Sequence, residues 1–291
     1  MARFSEWVEG ARPRTLPAAV APVLLGTACA AAVGAGNLGR AALALIVALA
    51  LQVGVNYAND YSDGVRGTDE KRTGPVRLVG QGLAPAATVK RAAFLSFGVG
   101  ALAGLLLVAL SGAWWMLAVG VAAILAAWYY TGGRTPYGYL GLGEVFVFVF
   151  FGLVATLGTT YTQAGTTTLA AWATATGVGA LSCAILMANN IRDIPTDIPA
   201  GKRTLAVRLG DRAARRAFVG IIAAAFVACL VTALQHPGAL AGLLVLPLAV
   251  TPIRTVLSGA GGRDLIPALG TTGRLTLAYA VTVSAGLVFF R

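Results

Sequence analysis

The sequence carries little charge for its length. Asp, Glu, Lys and Arg make up 11% of its 291 residues, whereas a soluble domain typically has about 25%. Hydrophobic residues make up 57%, and apolar runs of about twenty residues recur along the chain, as in helices that cross a bilayer. The composition excludes an ordinary soluble domain and predicts a protein that spans the lipid bilayer several times.

Cysteine and histidine are also scarce. Cys29, Cys183 and Cys229 lie inside apolar runs without metal-ligand spacing, so we interpret them as small buried side chains. The single histidine, His236, lies in a short break and is interpreted as a loop residue. No Walker-type glycine pattern supports nucleotide hydrolysis. No basic segment has the aromatic residues expected for binding nucleic acid.

We predict an all-α fold, a single domain over residues 1–291 with nine transmembrane helices. Each apolar segment is long enough to cross about 30 Å of hydrocarbon at 1.5 Å per residue. The 37 glycines suit close packing between such helices. The predicted segments are 16–35, 41–59, 89–110, 113–131, 142–161, 169–190, 215–234, 238–257 and 272–290.

The distribution of cations predicts the orientation. With nine spans, twenty of the 22 Lys and Arg residues fall on the side of the N-terminus, and only Arg40 and Arg291 fall on the other. Cytoplasmic loops of membrane proteins are enriched in Lys and Arg. The N-terminus is therefore predicted to be cytoplasmic and the C-terminus outside, and this topology accounts for most of the net charge of +11.

Six of the eleven acidic residues fall in two short stretches on the predicted cytoplasmic side. They are Asp60, Asp63, Asp69 and Glu70 after the second predicted helix, and Asp193 and Asp197 after the sixth. Acids at the end of a span are costly unless they are paired or bind a metal. The two stretches are therefore predicted to form a functional site.

Helical spacing places polar residues of the first stretch on one face, at i, i+3, i+4 and i+7. They are Asn56, Asn59, Asp60 and Asp63. In the second stretch Asn189 and Asp193 are four residues apart. Pro195 and Pro199 predict that the helix ends before Asp197, which would then lie on a turn.

These residue types favour a site for a diphosphate held through Mg²⁺. Carboxylate and amide oxygens without nearby His or Cys are the ligands that Mg²⁺ prefers. Each stretch also contains a Lys-Arg pair, Lys71-Arg72 and Lys202-Arg203, which suits the remaining phosphate charge. Because the site would lie at the membrane edge, the diphosphate is expected to carry an apolar chain.

These motifs resemble those of the UbiA-type membrane prenyltransferase superfamily. The first family motif, NDxxDxxxD, is similar to Asn59, Asp60, Asp63 and Asp69, although Asp69 is displaced by two residues. The second, DxxxD, matches Asp193 and Asp197. The resemblance implies a Mg²⁺-dependent transfer of a polyprenyl group from polyprenyl diphosphate, in a bacterial cell membrane, at a site that opens to the cytoplasm.

Three stretches are similar to the branch of the superfamily that prenylates 1,4-dihydroxy-2-naphthoate for menaquinone synthesis. They are ARPRTLPAAVAPVLLGTA, NDYSDGVRGTDEKRTGPVRLVGQG and YGYLGLGEVFVFVFFGLVATLGTTY. This resemblance implies 1,4-dihydroxy-2-naphthoate as the acceptor, loss of its carboxylate as CO₂, and demethylmenaquinone as the product.

The motifs and the resemblance together give the candidate site residues. The expected catalytic residues are Asp60, Asp63, Asp193, Asp197, Lys71 and Lys202. The expected metal ligands are Asp60, Asp63, Asp69, Asp193 and Asp197. The expected substrate-binding residues are Asn56, Asn59, Arg72, Arg77, Asn189, Asn190, Arg203, Arg12, Arg14, Tyr139 and Glu144.

Some residues allow two interpretations. Arg12 and Arg14 either steer an acidic aromatic substrate or anchor the chain at the cytoplasmic side. Glu144, the only acid inside a predicted span, either belongs to the site or makes a packing hydrogen bond. We interpret the aromatic run Phe146, Phe148, Phe150 and Phe151 as lipid or core contacts and not as a cage for a cation.

Two rival functions stay open at this point. A secondary transporter would also carry acids in its spans, although here they cluster at one membrane face. A UbiA-type enzyme with another acceptor, such as 4-hydroxybenzoate, homogentisate, haem or a tetrapyrrole, would share the same motifs.

Overall fold

The computed structural model describes residues 2–68 and 76–290, and every regular element within them is helical. The first part of the chain forms α1 (Phe4–Gly10), α2 (Pro17–Ala32), α3 (Leu38–Val65), α4 (Ala86–Ser111) and α5 (Met116–Tyr129). The second part forms α6 (Gly143–Val147), α7 (Ala155–Ala164), α8 (Leu169–Asp197), α9 (Leu205–Leu209), α10 (Asp211–Ala233), α11 (Leu246–Leu257) and α12 (Ile266–Phe289). A π-helical segment, Phe148–Val154, joins α6 to α7. The all-α prediction is confirmed.

Local sequence sets the ends of the long helices. The side chains of Asn37 and Thr168 accept hydrogen bonds from backbone N–H groups in the first turns of α3 and α8, which satisfies donors that the helix itself leaves open. Gly112 and Gly165 end α4 and α7 in the left-handed conformation, with φ of 72° and 69°.

Among the described residues, seven helical segments are long and apolar enough to cross a membrane. An eighth arises if the segments Phe4–Thr15 and Pro17–Ala32, which meet at a bend of 50°, form one broken span. The remaining apolar helix, Met116–Tyr129, has 14 residues and extends only about 21 Å. A polytopic membrane architecture is therefore supported, whereas the count of nine and the orientation of the termini stay predictions.

The helix α8 lies at the centre of the bundle, where it packs against α10, α12 and α2. It continues through Pro195 to Asp197, so the prediction that the helix ends before Asp197 was wrong. The reason is that a proline near a helix end removes only one backbone donor. The next turn continues, since the Ile198 N–H donates to the Ile194 carbonyl oxygen at 3.2 Å.

Glycines allow the closest helix contacts, as predicted. A Cβ atom added to Gly152 in the π-helical segment would lie 2.6 Å from the Cα of Gly179 in α8. A Cβ atom added to Gly286 in α12 would overlap the carbonyl group of Gly238. In both places the backbone of one element rests directly on the backbone of the other, which only a residue without a side chain permits.

Gly286→Ala tests this packing. We expect it to lower the free energy of unfolding by about 1–3 kcal/mol, because the added methyl group forces two backbones apart. The measurement is thermal unfolding of the purified protein in detergent. Gly270→Ala in the same helix is the matched control, since a Cβ atom there meets no atom within 4 Å. Equal melting temperatures for the two variants would contradict the packing described.

Candidate active site

The acidic ends of α3 and α8 meet at one end of the bundle. Lys202, which follows α8, lies with its Nζ 3.2 Å from Oδ1 of Asp63, near the end of α3. The side chains of Asp63 and Lys202 are 2% and 5% exposed. The Tyr139 hydroxyl donates to the same Asp63 oxygen at 2.6 Å. Three distant stretches of sequence thus converge on one buried carboxylate.

Tyr139 is held from both sides. It lies in a short 3-10 turn, Tyr137–Leu140, and its carbonyl oxygen accepts a hydrogen bond from the Arg203 N–H at 2.9 Å. The Lys202 ammonium lies 4.6 Å from the centre of the Tyr139 ring, within cation–π range. Burial, and next the negative charge of Asp63, raise the pKa of Tyr139. The phenol therefore stays protonated at neutral pH and acts as a donor.

Asn56 fixes the N-terminal segment against α3. Its Nδ2 donates to the Ala11 carbonyl oxygen at 2.8 Å and to the Thr15 hydroxyl at 3.1 Å. Arg12, between these two contacts, has a left-handed backbone with φ of 55°, which is uncommon for a residue with a side chain. The contacts keep Arg12 and Arg14 at the rim of the cavity described below.

Asn59 connects α3 to the segment that follows α5. Its Oδ1 accepts from the Thr131 hydroxyl at 2.8 Å. The guanidinium group of Arg66 donates to the carbonyl oxygens of Thr131 and Gly133 and lies 5.5 Å from the centre of the Tyr139 ring. The end of α3 is therefore tied to the segment that presents Tyr139.

The carboxylates of Asp60 and Asp193 have further partners among the described residues. Asp60 is 1% exposed, and its two carboxylate oxygens accept from the backbone N–H groups of Leu78 and Val79, at 2.8 and 3.0 Å. Asp193 is also 1% exposed and pairs with both Nε and Nη2 of Arg192 at 2.7 Å. Asp60 thus holds residues 78 and 79 against α3, and Asp193 forms an ion pair with the neighbouring Arg192.

The convergence forms the mouth of a cavity of about 890 Å³. Five cations and three acids of the described residues line it, so positive charge is in excess. The cations are Arg12, Arg14, Arg77, Arg192 and Lys202, and the acids are Glu9, Asp63 and Asp197. A mouth of this composition suits an anion that carries several charges.

Away from the mouth the cavity walls are apolar. They come from α2, α3, α4, α5 and the segment Gly143–Ala164, and they extend to Met116 and Thr162 near the opposite end of the bundle. Phe146, Phe150 and Phe151 line this cavity. These rings therefore form part of the cavity wall, where Phe146 also stacks on Tyr137, and their interpretation as contacts and not as a cage for a cation stays a prediction. Phe148 instead packs against Gly179.

A polycationic mouth above a long apolar cavity is a site for an anionic head group with a hydrophobic tail. A model of the UbiA prenyltransferase family matches residues 19–263. The chain belongs to the UbiA prenyltransferase family. It is accordingly a membrane-embedded enzyme that transfers prenyl groups.

Relatives match over almost the full length. The chain is 55% identical to the 1,4-dihydroxy-2-naphthoate octaprenyltransferase of Mycobacterium tuberculosis (strain ATCC 25618 / H37Rv), over 99% of each chain. It is 50% identical to the protein of the same name from Mycobacterium leprae (strain TN), over 99% of this chain and 97% of that one.

Solved structures share the fold at low identity. The apo structure of a UbiA homolog from Aeropyrum pernix K1 superposes with a TM-score of 0.70 at 16% identity, over 99% of this chain and 98% of that chain. A UbiA homolog from Archaeoglobus fulgidus bound to DMAPP and Mg²⁺ superposes with a TM-score of 0.65 at 15% identity, over 96% and 99%.

The structure brings most of the expected site residues of this prenyltransferase to the cavity. Those that line it are Asn56, Asn59, Asp63, Arg77, Tyr139, Asn189, Asn190, Asp197, Lys202, Arg12 and Arg14. Those that do not are Asp60, Asp193, Glu144 and the exposed Arg203. Asp69, Lys71 and Arg72 lie outside the described residues.

Sequence reasoning missed Arg192, which lines the cavity and is 4% exposed. A signal was present, because Arg192 follows Asn189 at i+3 and therefore shares its helix face. In the sequence it serves only as one of the cations that predict the orientation. Tyr130 and Tyr137, whose rings meet edge-on at 5.5 Å beside the cavity, carried no signal beyond their aromatic character.

The residues of the mouth fit a Mg²⁺ ion only if the substrate supplies some of its ligands. Within residues 2–68 and 76–290, no group of three or more His, Cys, Asp or Glu residues is arranged to hold a metal. Asp63, Asp197 and the amide of Asn59 line the mouth and offer hard oxygen atoms. Mg²⁺ commonly takes one or two carboxylates and completes its shell with water and substrate phosphates. The donor set therefore fits an ion that binds together with a diphosphate.

Asp60→Asn tests whether the Asp60 carboxylate holds the segment around Leu78 and Val79 against α3. We expect a loss of about 1–3 kcal/mol in the free energy of unfolding, because an amide has one acceptor oxygen for two backbone donors. Thermal unfolding and proteolysis within residues 76–82 measure the change. Asp264→Asn, at an exposed acid, is the control. If the two variants melted and were cleaved alike, Asp60 would have no such role.

Proposed function

We propose that the enzyme transfers a polyprenyl group from polyprenyl diphosphate to 1,4-dihydroxy-2-naphthoate in a Mg²⁺-dependent reaction. The bond between the allylic carbon and the diphosphate breaks, and a ring carbon of the acceptor bonds to the allylic carbon. The acceptor loses CO₂ and becomes demethylmenaquinol, the reduced form of demethylmenaquinone. The names of the mycobacterial relatives support this acceptor.

One structural observation carries the proposal. The buried contact between Asp63, Tyr139 and Lys202 joins the two acidic stretches at the mouth of an apolar cavity. A diphosphate at this mouth lies beside the five cations, and its prenyl chain enters the cavity. The proposed Mg²⁺ ligands are Asp63 and Asp197, with Asn59 beside them. When bound, Mg²⁺ supplies Lewis-acid stabilisation of the diphosphate leaving group.

The residues of the chain have distinct proposed roles. Lys202 and Arg192 hold the diphosphate and offset the charge that grows on it as the bond breaks. Tyr139 donates to Asp63 and keeps that carboxylate aimed at the mouth. The apolar walls exclude water, which would otherwise capture the allylic cation. The excess of Lys and Arg near this end supports a mouth that opens to the cytoplasm.

The decisive assay combines purified enzyme, 1,4-dihydroxy-2-naphthoate and a polyprenyl diphosphate. We expect product only with Mg²⁺, with a mass that reports the acceptor, the tail and the loss of CO₂. Parallel reactions with 4-hydroxybenzoate and homogentisate test the rival acceptors. Product from a rival acceptor alone would reject the proposed one.

Asp63→Asn and Asp197→Asn test the proposed metal ligands. Each is expected to lower kcat roughly 100-fold or more, the scale of losing one group that stabilises the transition state, and to raise the Mg²⁺ concentration needed for half-maximal rate. Asp264→Asn is the matched control at an exposed acid. Near-normal turnover and Mg²⁺ dependence in both variants would refute the assignment.

Gly120→Leu tests the tail cavity. Gly120 lines the cavity, and an added Cβ atom meets no atom within 4 Å. It precedes Thr131 at the mouth by eleven residues, or about 16 Å of helix. We expect the variant to lose activity with octaprenyl diphosphate about tenfold or more while it retains activity with dimethylallyl diphosphate.

The control for tail length is Gly98→Leu. Gly98 is equally uncrowded but lies on an exposed surface outside the cavity. The activity of the Gly98→Leu variant is expected to match that of the wild type with both octaprenyl diphosphate and dimethylallyl diphosphate. A Gly120→Leu variant that loses activity equally with short and long donors would show that the tail does not follow this path.

A further inference from the structure

Glu144 is a buried acid behind the cavity wall. It lies in the first turn of α6, is 7% exposed and does not line the cavity. Its Oε1 accepts from Asn190 Nδ2 at 2.9 Å. Its Oε2 has no hydrogen-bond partner within residues 2–68 and 76–290. Its backbone carbonyl oxygen accepts from the Cys183 thiol at 3.2 Å, which fixes α6 against α8.

This contact determines how the Asn190 amide faces the cavity. Asn190 is 5% exposed and lines the cavity. Because Oε1 of Glu144 accepts from Nδ2 of Asn190, the contact engages the NH₂ side of the amide. The carbonyl oxygen is left for the cavity, and no residue of the described part of the chain donates to it. Asn190 therefore presents an acceptor and not a donor.

An acceptor oxygen distinguishes between the two substrates. A diphosphate offers only acceptor oxygens and gains nothing from a carbonyl oxygen. A ring hydroxyl donates to one. The surroundings also suit a planar ring, because the Tyr137 and Phe146 rings stack at 3.9 Å between centroids with 22° between planes, and both line the cavity. Phe146 is two residues from Glu144 in the chain.

We propose that Glu144 is a positioning residue that orients the Asn190 amide, so that its Oδ1 accepts a hydrogen bond from a ring hydroxyl of the aromatic acceptor. The hydrogen bond leaves more electron density on the oxygen and on the ring, which makes the ring carbon a better nucleophile. The proposal rests on the proposed function, since it takes the acceptor to be a hydroxylated aromatic acid. It replaces direct substrate contact as the role of Glu144.

Glu144→Gln and Asn190→Ala test the pair. A glutamine also donates, and where its NH₂ group faces Asn190 the amide is reversed, so the acceptor oxygen is no longer held toward the cavity. We expect each variant to raise KM for 1,4-dihydroxy-2-naphthoate about tenfold, as for one lost hydrogen bond. KM for the polyprenyl diphosphate should stay within about twofold. The double variant should be no worse than Asn190→Ala, because the two residues act as one unit.

Analogues of the acceptor that lack one of its two hydroxyl groups show which ring hydroxyl Asn190 binds. Inhibition constants of 1-hydroxy-2-naphthoate and 4-hydroxy-2-naphthoate are compared between wild type and Glu144→Gln. The analogue that lacks the recognised hydroxyl should bind both proteins equally, and the other should bind the variant about tenfold more weakly. Glu6→Gln, an isosteric change outside the cavity, is the control for both KM values.

The outcomes separate this inference from the proposed function. A wild-type enzyme that does not prenylate 1,4-dihydroxy-2-naphthoate refutes the proposed function. An active wild type whose variants raise both KM values equally, or whose double variant is additive, refutes only the role of Glu144. If Glu144→Gln does not fold, Asn190→Ala and the analogue series with Asn190→Ala decide, and an unchanged acceptor KM there overturns the proposal.

Discussion

The site depends on the buried ion pair between Asp63 and Lys202. Removing two charges from water costs several kcal/mol per ion, and their mutual attraction repays this only with good geometry and further hydrogen bonds. Tyr139 supplies such a hydrogen bond and places its ring beside the ammonium. A buried pair of this kind contributes little net stability. Its effect is to fix the end of α3 against the chain that follows α8, which the proposed diphosphate site between them requires.

The remaining polar residues keep this junction in place. Asn56 holds the N-terminal segment, and Asn59 and Arg66 hold the segment after α5. These contacts run from side chains near the end of α3 to other segments, so α3 organises the mouth. Among the described residues that line the cavity, cations outnumber acids by five to three, which suits the anionic substrate proposed above.

Helical spacing in the sequence predicted which polar residues of α3 lie on one face. It did not predict which of them line the cavity and which bind the following loop. At about 100° per residue, Asn56, Asn59 and Asp63 lie within a narrow sector, and Asp60 lies on its flank. The flank faces the N–H groups of Leu78 and Val79 because the following loop folds back on it. Contacts such as Asp63 with Tyr139, or Glu144 with Asn190, join residues 76 and 46 positions apart. No periodicity within one helix contains that information.

The contrast between the polar mouth and the apolar deeper walls of the cavity bears on the proposed allylic cation, which water would capture. Most polar side chains near the mouth bond to one another or to backbone groups. The polar groups that line the cavity are concentrated at its mouth, and its deeper, mainly apolar walls offer water few partners. In the inference drawn above, the Asn190 carbonyl oxygen faces the cavity because Glu144 occupies the NH₂ side of that amide. In that proposal a hydroxylated ring has an advantage over water at this acceptor atom, because the ring also gains the apolar and aromatic contacts of the wall.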